Sequence, residues 1–181
     1  HIGGYLIGDG ERPLVIAEVG FNHNGDIATA LEMVKVAADV GADCVKFQIV
    51  DADAFLPKKL AKSADEQRTS QEEENLYDEL KRTALSADDY GAIAAACRDA
   101  DVEFLASFTE TDTIALLTQL GVPALKIASG ELTNTPLLRR AAAAGLPLIM
   151  STGMASLGEV EAALAAVESS GVDVCLLHAT S

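Results

Sequence analysis

The chain has 181 residues, 49% of them hydrophobic and 23% charged, the balance of a single globular domain with a sizeable core. A formal net charge of −15 excludes nucleic acid as a partner, because a phosphate backbone needs a basic face. No apolar run approaches the roughly 20 residues that span a membrane, no basic-then-apolar leader opens the chain, and the three cysteines form no Cys-x-x-Cys pair, so they read as reduced, buried thiols of a cytoplasmic protein.

Six short apolar runs of β type recur, at residues 13–20, 44–50, 102–107, 124–129, 146–152 and 174–180. They are continuously apolar rather than alternating, which predicts parallel strands buried on both faces. The first ends Ala17-Glu-Val-Gly20 and enters Phe21-Asn-His-Asn-Gly25. Glu18 interrupts the apolar strand, where a carboxylate must be paired or costs stability. It reads equally as a site carboxylate or as a structural ion pair. Asn22 and His23 suit sugar binding or simply build the turn. A helix follows, capped at Asp26, with Ile27, Leu31, Val34 and Ala38 on one face and Gly41 past its end.

The second run carries Lys46 and Gln48, whose spacing aims both to one side of a strand. Lysine is rarely buried alone, so Lys46 implies an ion pair, with Glu18 as the obvious partner, or an anion site; the two are compatible. The connection from Asp51 to about Ser86 is long and holds Pro57, Lys58, Lys59 and the charged stretch 65–82. Residues 71–81 fit a short exposed helix, and the whole is equally a surface insertion or a lid over a site. Ser86 then opens a helix with Ile93, Ala94 and Cys97 inward. The third run ends at Ser107, with Thr109 after it, and Ile114, Leu117 and Leu120 stripe the next helix.

Lys126 sits in the middle of the fourth run, in Leu125-Lys-Ile-Ala-Ser-Gly-Glu131. Ser129 and Gly130 form a turn whose backbone N–H groups suit a phosphate, and Glu131 stands on the loop. Pro136 fits the first turn of a helix. The fifth run ends Met150-Ser151-Thr152-Gly153, and Ser156-Leu-Gly-Glu159 is a capping box. His178 falls in the sixth run, where a lone histidine is more often a core residue than a ligand. His23 and His178 do not make a metal site. A lysine Schiff base stays open, since a strand lysine can act as a nucleophile.

Alternating strands and helices predict an α/β fold with a helix-covered parallel sheet. Polar groups at every strand end favour a (β/α)8 TIM barrel with a ring of βα loops over an open doubly wound sheet with one switch point. Six strands and five helices fall short of the eight of each in a full barrel. Residues 1–181 therefore read as a barrel domain truncated after strand six.

Five segments, Ile16-Ala-Glu-Val-Gly-Phe-Asn-His-Asn-Gly25, Val45-Lys-Phe-Gln48, Lys126-Ile-Ala-Ser-Gly-Glu131, Ser151-Thr-Gly-Met154 and Leu176-Leu-His-Ala-Thr-Ser181, together resemble the N-acetylneuraminate (sialic acid) synthase family. The resemblance covers nearly the whole chain in the family's order. It implies a transferase that condenses phosphoenolpyruvate with the open-chain aldehyde of an N-acetylated amino sugar of the N-acetylmannosamine type. By the same resemblance Lys126, Ser107, Ser129, Ser151 and Ser181 grip the phosphate, while Glu18, Lys46, Gln48 and Glu131 stand at the reacting centre. Asn22, His23 and His178 are counted with the substrate-binding residues. The resemblance also implies a divalent metal, manganese in type, whose histidine ligands fall outside this sequence, and a homodimer built with a C-terminal antifreeze-like domain that this sequence lacks. Strand three departs from the family, reading Leu-Ala-Ser-Phe-Thr in place of Ser-Thr-Pro-Phe. Alternative readings are a non-catalytic or partner-dependent barrel fragment, or a related barrel aldolase or synthase acting on another sugar.

Overall fold

The computed structural model describes residues 1–55 and 76–180. Six strands form one parallel sheet in strict sequence order: β1 (Ile16–Gly20), β2 (Cys44–Ile49), β3 (Glu103–Phe108), β4 (Leu125–Ile127), β5 (Leu148–Ser151) and β6 (Val174–Leu177). A helix follows each of the first five: α1 (Ile27–Asp39) after β1, α4 (Ala87–Asp99) after β2, α5 (Thr113–Leu120) after β3, α6 (Thr135–Ala142) after β4 and α7 (Leu157–Glu168) after β5. Parallel crossovers share one hand. A sheet whose order never reverses therefore carries all its helices on one face, and its other face can be buried only by curling into a barrel wall. The α/β architecture is the one expected from the sequence, as a curled six-stranded part of a barrel.

Two cores sit on the two faces. The outer one packs Phe47, Phe108, Leu125, Ile127 and Leu148, each fully buried, against the helices. Each such side chain contributes roughly 1.5–3 kcal/mol of transfer free energy. The inner one joins Cys44, Leu105, Ala124 and Ile149 with Ile2, so the N-terminal segment closes the lower end of the curl. That segment is pinned by Asp43. Its buried carboxylate accepts the Val15 N–H at 2.8 Å and both arms of Arg12 at 2.5 and 3.0 Å. The Arg12 guanidinium holds that carboxyl below the usual range.

The helix starts follow the sequence signals. Asp26 accepts the N–H groups of Ala28 and Thr29. Ser86 and Ser156 each form a reciprocal box, with Asp89 and Glu159. Pro136 lies in the first turn of α6.

Several expectations need correction. β4 is only three residues long, and Ser129 lies beyond it in a single 3-10 turn, Ser129–Glu131. His178 lies just past β6 and is exposed; alternation sets it on the outer side with the exposed Leu176, where no helix follows β6 among the described residues. Cys44 and Cys97 are buried thiols that burial pushes up to about 12, but Cys175 is half-buried. Among its described residues the long connection holds two helices, α2 (Ala52–Phe55) and α3 (Leu76–Thr83). Of the exposed helix expected at 71–81, residues 71–75 lie outside the described residues; 76–81 are helical but not wholly exposed, since Tyr77 and Leu80 are buried against Ala52. Pro57, Lys58, Lys59 and Ser181 lie outside the described residues. Among the described residues no helix is long and apolar enough to cross a membrane.

Candidate active site

A cavity of about 510 Å³ opens at the C-terminal ends of the strands. Active sites of β/α barrels form at this end, where the βα loops converge. Its floor follows from register. Gln48 pairs with Ser107 and Ser107 with Lys126, so one row across β2, β3 and β4 carries an amide, a hydroxyl and an ammonium. Period-two alternation aims all three inward while Phe47, Phe108 and Ile127 face the helices.

Glu18 and Lys46 stand opposite one another across β1 and β2 and form an ion pair; Gln48 Nε2 donates to the same carboxylate at 3.3 Å. The register slips between Glu18 and Gly20, so one extra residue is bulged out of the ladder. Bulges re-aim side chains beside sites. Gly20 has φ 56°, and a Cβ there would stand 3.2 Å from Glu18 Oε1 and 3.4 Å from Gln48 Nε2. The ion pair resolves how a carboxylate survives in an apolar strand. The Glu18 side chain is 48% exposed, so it opens on the cavity rather than lying sealed in the core.

Lys126 is buried, and its Nζ donates to the Ile127 carbonyl at 2.9 Å. Burial lowers its pKa to about 8; neighbouring Lys46 lowers it further and Glu18 opposes. Ser129 Oγ donates to Ser151 Oγ at 3.0 Å, joining the ends of β4 and β5. Thr109 Oγ1 is buried at the cavity wall without a hydrogen-bond partner. The lining thus holds two ammonium groups and one carboxylate, a locally cationic spot in a chain of net charge −15. Phosphate and carboxylate ligands are suited to such a spot.

The structure brings Glu18, Lys46, Gln48, Ser107, Lys126, Ser129 and Ser151 together around this cavity. Four other candidates do not line it. Glu131 is turned to the N-terminus of α6, accepting Asn134 Nδ2 at 2.6 Å. Asn22 is exposed on the turn after β1. His23 is buried on the helix side, its ring 5.9 Å from that of Phe47 and its Nδ1 accepting the Gly25 N–H at 3.1 Å. Burial holds His23 below the ordinary imidazole range, with the Gly20 backbone and Asp26 opposing. His178 is the fourth. Phe21, Val50, Phe55 and Leu80 line the cavity but were not singled out as candidates, and Thr109, noted after the third strand, lines it too. Phe21 lies inside the Val-Gly-Phe-Asn-His motif, the one available signal; the others are placed by tertiary structure.

A curled parallel sheet with an anion-suited cavity at its C-terminal edge defines a β/α-barrel protein with a small-molecule site. Residues 33–181 match the NeuB family, and the chain belongs to it. This bears out the resemblance to sialic acid synthases. The chain is 40% identical over 172 residues to the N,N'-diacetyllegionaminic acid synthase of Legionella pneumophila, covering 92% of this chain and 48% of that protein. It is 37% identical over 171 residues to the N-acetylneuraminate-9-phosphate synthase of Drosophila melanogaster, covering 92% and 45%. Among solved structures, the N-acetylneuraminic acid synthetase of Leptospira borgpetersenii superposes with a TM-score of 0.80 at 29% identity, over 96% of this chain and 57% of that one. The chain spans about half the length of the curated relatives it matches.

Proposed function

We propose that this cavity condenses phosphoenolpyruvate with the open-chain aldehyde of an N-acetylated amino sugar, giving a nine-carbon keto sugar acid and inorganic phosphate. The observation that carries the reading is the convergence of Lys126, Ser107, Ser129 and Ser151 beside the Glu18–Lys46 pair. An ammonium among three hydroxyls suits a phosphoryl group. In this reading Lys46 balances the substrate carboxylate. C3 of phosphoenolpyruvate attacks the aldehyde carbon, and the aldehyde oxygen takes up a proton as the carbon–carbon bond forms. Water adds at C2 and gives up a proton. The bond from C2 to the phosphate oxygen then breaks, the C2 hydroxyl passes its remaining proton to the departing phosphate, and C2 becomes a ketone. Glu18, which opens on the cavity, is the candidate for proton transfer, and Gln48 orients it. Glu131 belongs to the same reading as a carboxylate held near the strand ends by Asn134. The same reading includes Ser181 as a phosphate ligand, a cytoplasmic homodimer and a complete eight-stranded barrel.

The family resemblance implies a divalent metal. Among the described residues there is no cluster of three His, Cys, Asp or Glu. Glu18 is committed to Lys46 and His23 faces the helices, so these residues do not by themselves fit a metal, and no step is assigned to one.

A lysine with its pKa near 8 also suits amine nucleophile chemistry. One experiment separates the two. Phosphate release from phosphoenolpyruvate and N-acetylmannosamine with Mn²⁺, by the intact protein, supports the synthase. Trapping of a keto acid on Lys126 by borohydride, without phosphate release, overturns it in favour of a Schiff-base aldolase.

A further inference from the structure

His23 is 1% exposed and lies on the helix side of the sheet, away from the cavity. Its ring rests against that of Phe47. Phe47 stands between Lys46 and Gln48, which project into the cavity from the other face of β2. His23 Nδ1 accepts the Gly25 N–H at 3.1 Å. A backbone N–H only donates, so Nδ1 carries no proton and the ring is the neutral tautomer with its proton on Nε2. Nε2 is buried with no hydrogen-bond partner among the described residues, while the Gly20 backbone is near enough to favour its proton. An apolar side chain would pack on Phe47 without leaving a buried donor unpaired, which is costly. What it could not supply is the acceptor at Nδ1.

That acceptor closes the turn from Gly20 to Gly25, whose two end residues both need positive φ, 56° and 79°. At the Gly25 end the backbone is pressed on the Arg82 carbonyl in α3, where a Cβ would clash. At the Gly20 end it stands against the site. A Cβ there would meet Glu18 Oε1 at 3.2 Å and Gln48 Nε2 at 3.4 Å. The slip in register between β1 and β2 falls between Glu18 and Gly20, so the bulge that re-aims Glu18 opens directly into this turn.

Resting on the synthase reading of the cavity, we propose that His23 is a positioning residue. Its neutral imidazole, bonded to Gly25 and seated on Phe47, braces the turn after β1 so that the bulge holds Glu18 and Gln48 at the reacting centre. The ring acts through the backbone and touches no substrate. Ser107, Lys126, Ser129 and Ser151 belong to β3, β4 and β5 and their ends, so the phosphate site does not hang on this turn. Loss of the brace therefore lowers turnover and leaves phosphoenolpyruvate binding alone.

Two variants of the intact protein separate brace from packing. His23→Leu keeps a side chain on Phe47 and loses the acceptor. Its urea midpoint should stay close to wild type, while kcat falls roughly 100-fold, the scale for a misplacement of about 1 Å. The KM for phosphoenolpyruvate should not move. His23→Asn puts an amide oxygen in the place of Nδ1 and loses the ring, so its urea midpoint should drop while kcat recovers most of the loss. In a Glu18→Gln background His23→Leu should lower kcat far less, because the group being aimed is gone. Nitrogen NMR of the wild-type imidazole, which needs no variant to fold, should show a proton on Nε2 and none on Nδ1. A kcat that follows the urea midpoint in both variants, full additivity with Glu18→Gln, or a proton on Nδ1 each overturns the proposal and leaves the synthase reading intact. Absence of phosphate release by the wild type with every amino sugar overturns the synthase reading and the proposal with it.

Discussion

The outward and inward faces of the sheet are made from alternate residues of the same strands, yet they differ in kind. Outward, β2 presents Val45 and Phe47, and β4 presents Leu125 and Ile127, all fully buried in the main core. Inward, β2 presents Lys46 and Gln48, and β4 presents Lys126. Near the N-terminal ends of the strands the inner face is apolar too, where Cys44, Leu105 and Ile149 meet Ile2. Only towards the C-terminal ends does the inner face turn polar. Fold and chemistry therefore occupy separate sets of positions, one residue apart. A substitution on one face should act on stability and its neighbour on activity.

The largest expected effect tests the outer face. Phe47 is fully buried between His23 and Phe104. Phe47→Ala should cost about 3–5 kcal/mol, read as a lower urea midpoint. Its counterpart is Lys126→Met. This keeps the volume and removes a buried ammonium, so stability should stay within about 1.5 kcal/mol or rise. Phosphate release should fall by about 100-fold or more, the scale for losing one preorganised charge-stabilising donor. If Lys126→Met unfolds the protein as Phe47→Ala does, the two faces are not separable and the comparison fails.

The pH dependence sharpens the same contrast, because Lys126 should push stability and activity in opposite directions. Burial lowers its folded pKa to about 8 from the ordinary 10.5, with Lys46 adding to the fall. Between those two values the unfolded chain binds more protons than the folded one, so stability rises with pH across the window. Below about 8 the folded protein bears the full cost of the buried charge. Phosphate affinity runs the other way, since the ammonium is lost as pH climbs through about 8. The KM for phosphoenolpyruvate should therefore rise above that pH while the urea midpoint improves. Both trends should weaken in Lys126→Met.

Much of this was legible in the sequence because it is local. Helix starts at Asp26, Ser86 and Ser156 depend on a side chain reaching an N–H two or three residues on. The inward aim of Lys46 and Gln48 follows from a period of two. The Glu18–Lys46 pair was legible too, because each charge needed a partner in an apolar strand; the register that sets Gln48, Ser107 and Lys126 in one row was not. Turn residues were harder still. Asn22, His23 and Asn24 are adjacent, yet only His23 turns into the sheet–helix layer, because Phe47 offers it a surface there. The apolar part of the cavity lining, Phe21, Val50, Phe55 and Leu80, was hidden for a third reason. Its four residues come from four separate segments, and Tyr77 and Leu80 sit in a stretch so charged that it read as solvent-facing.

The smallest expected effect concerns the boundary between the two regions, at Asn134. Its side chain performs two bonds at once. Oδ1 accepts the Leu137 N–H at 3.3 Å and caps α6, while Nδ2 donates to Glu131 Oε2 at 2.6 Å. Asn134→Ala removes both and should cost about 1 kcal/mol in urea unfolding, the usual value of an N-cap. Asn134→Ser keeps an acceptor for the helix but drops the amide bond, so it should recover most of that stability. Turnover then separates the roles of Glu131. If its carboxylate works only as part of the helix start, Asn134→Ser restores activity along with stability. If it must be held towards the strand ends to meet the substrate, activity stays reduced in Asn134→Ser although the fold is restored, and Glu131 joins the inner face despite lying outside the cavity lining.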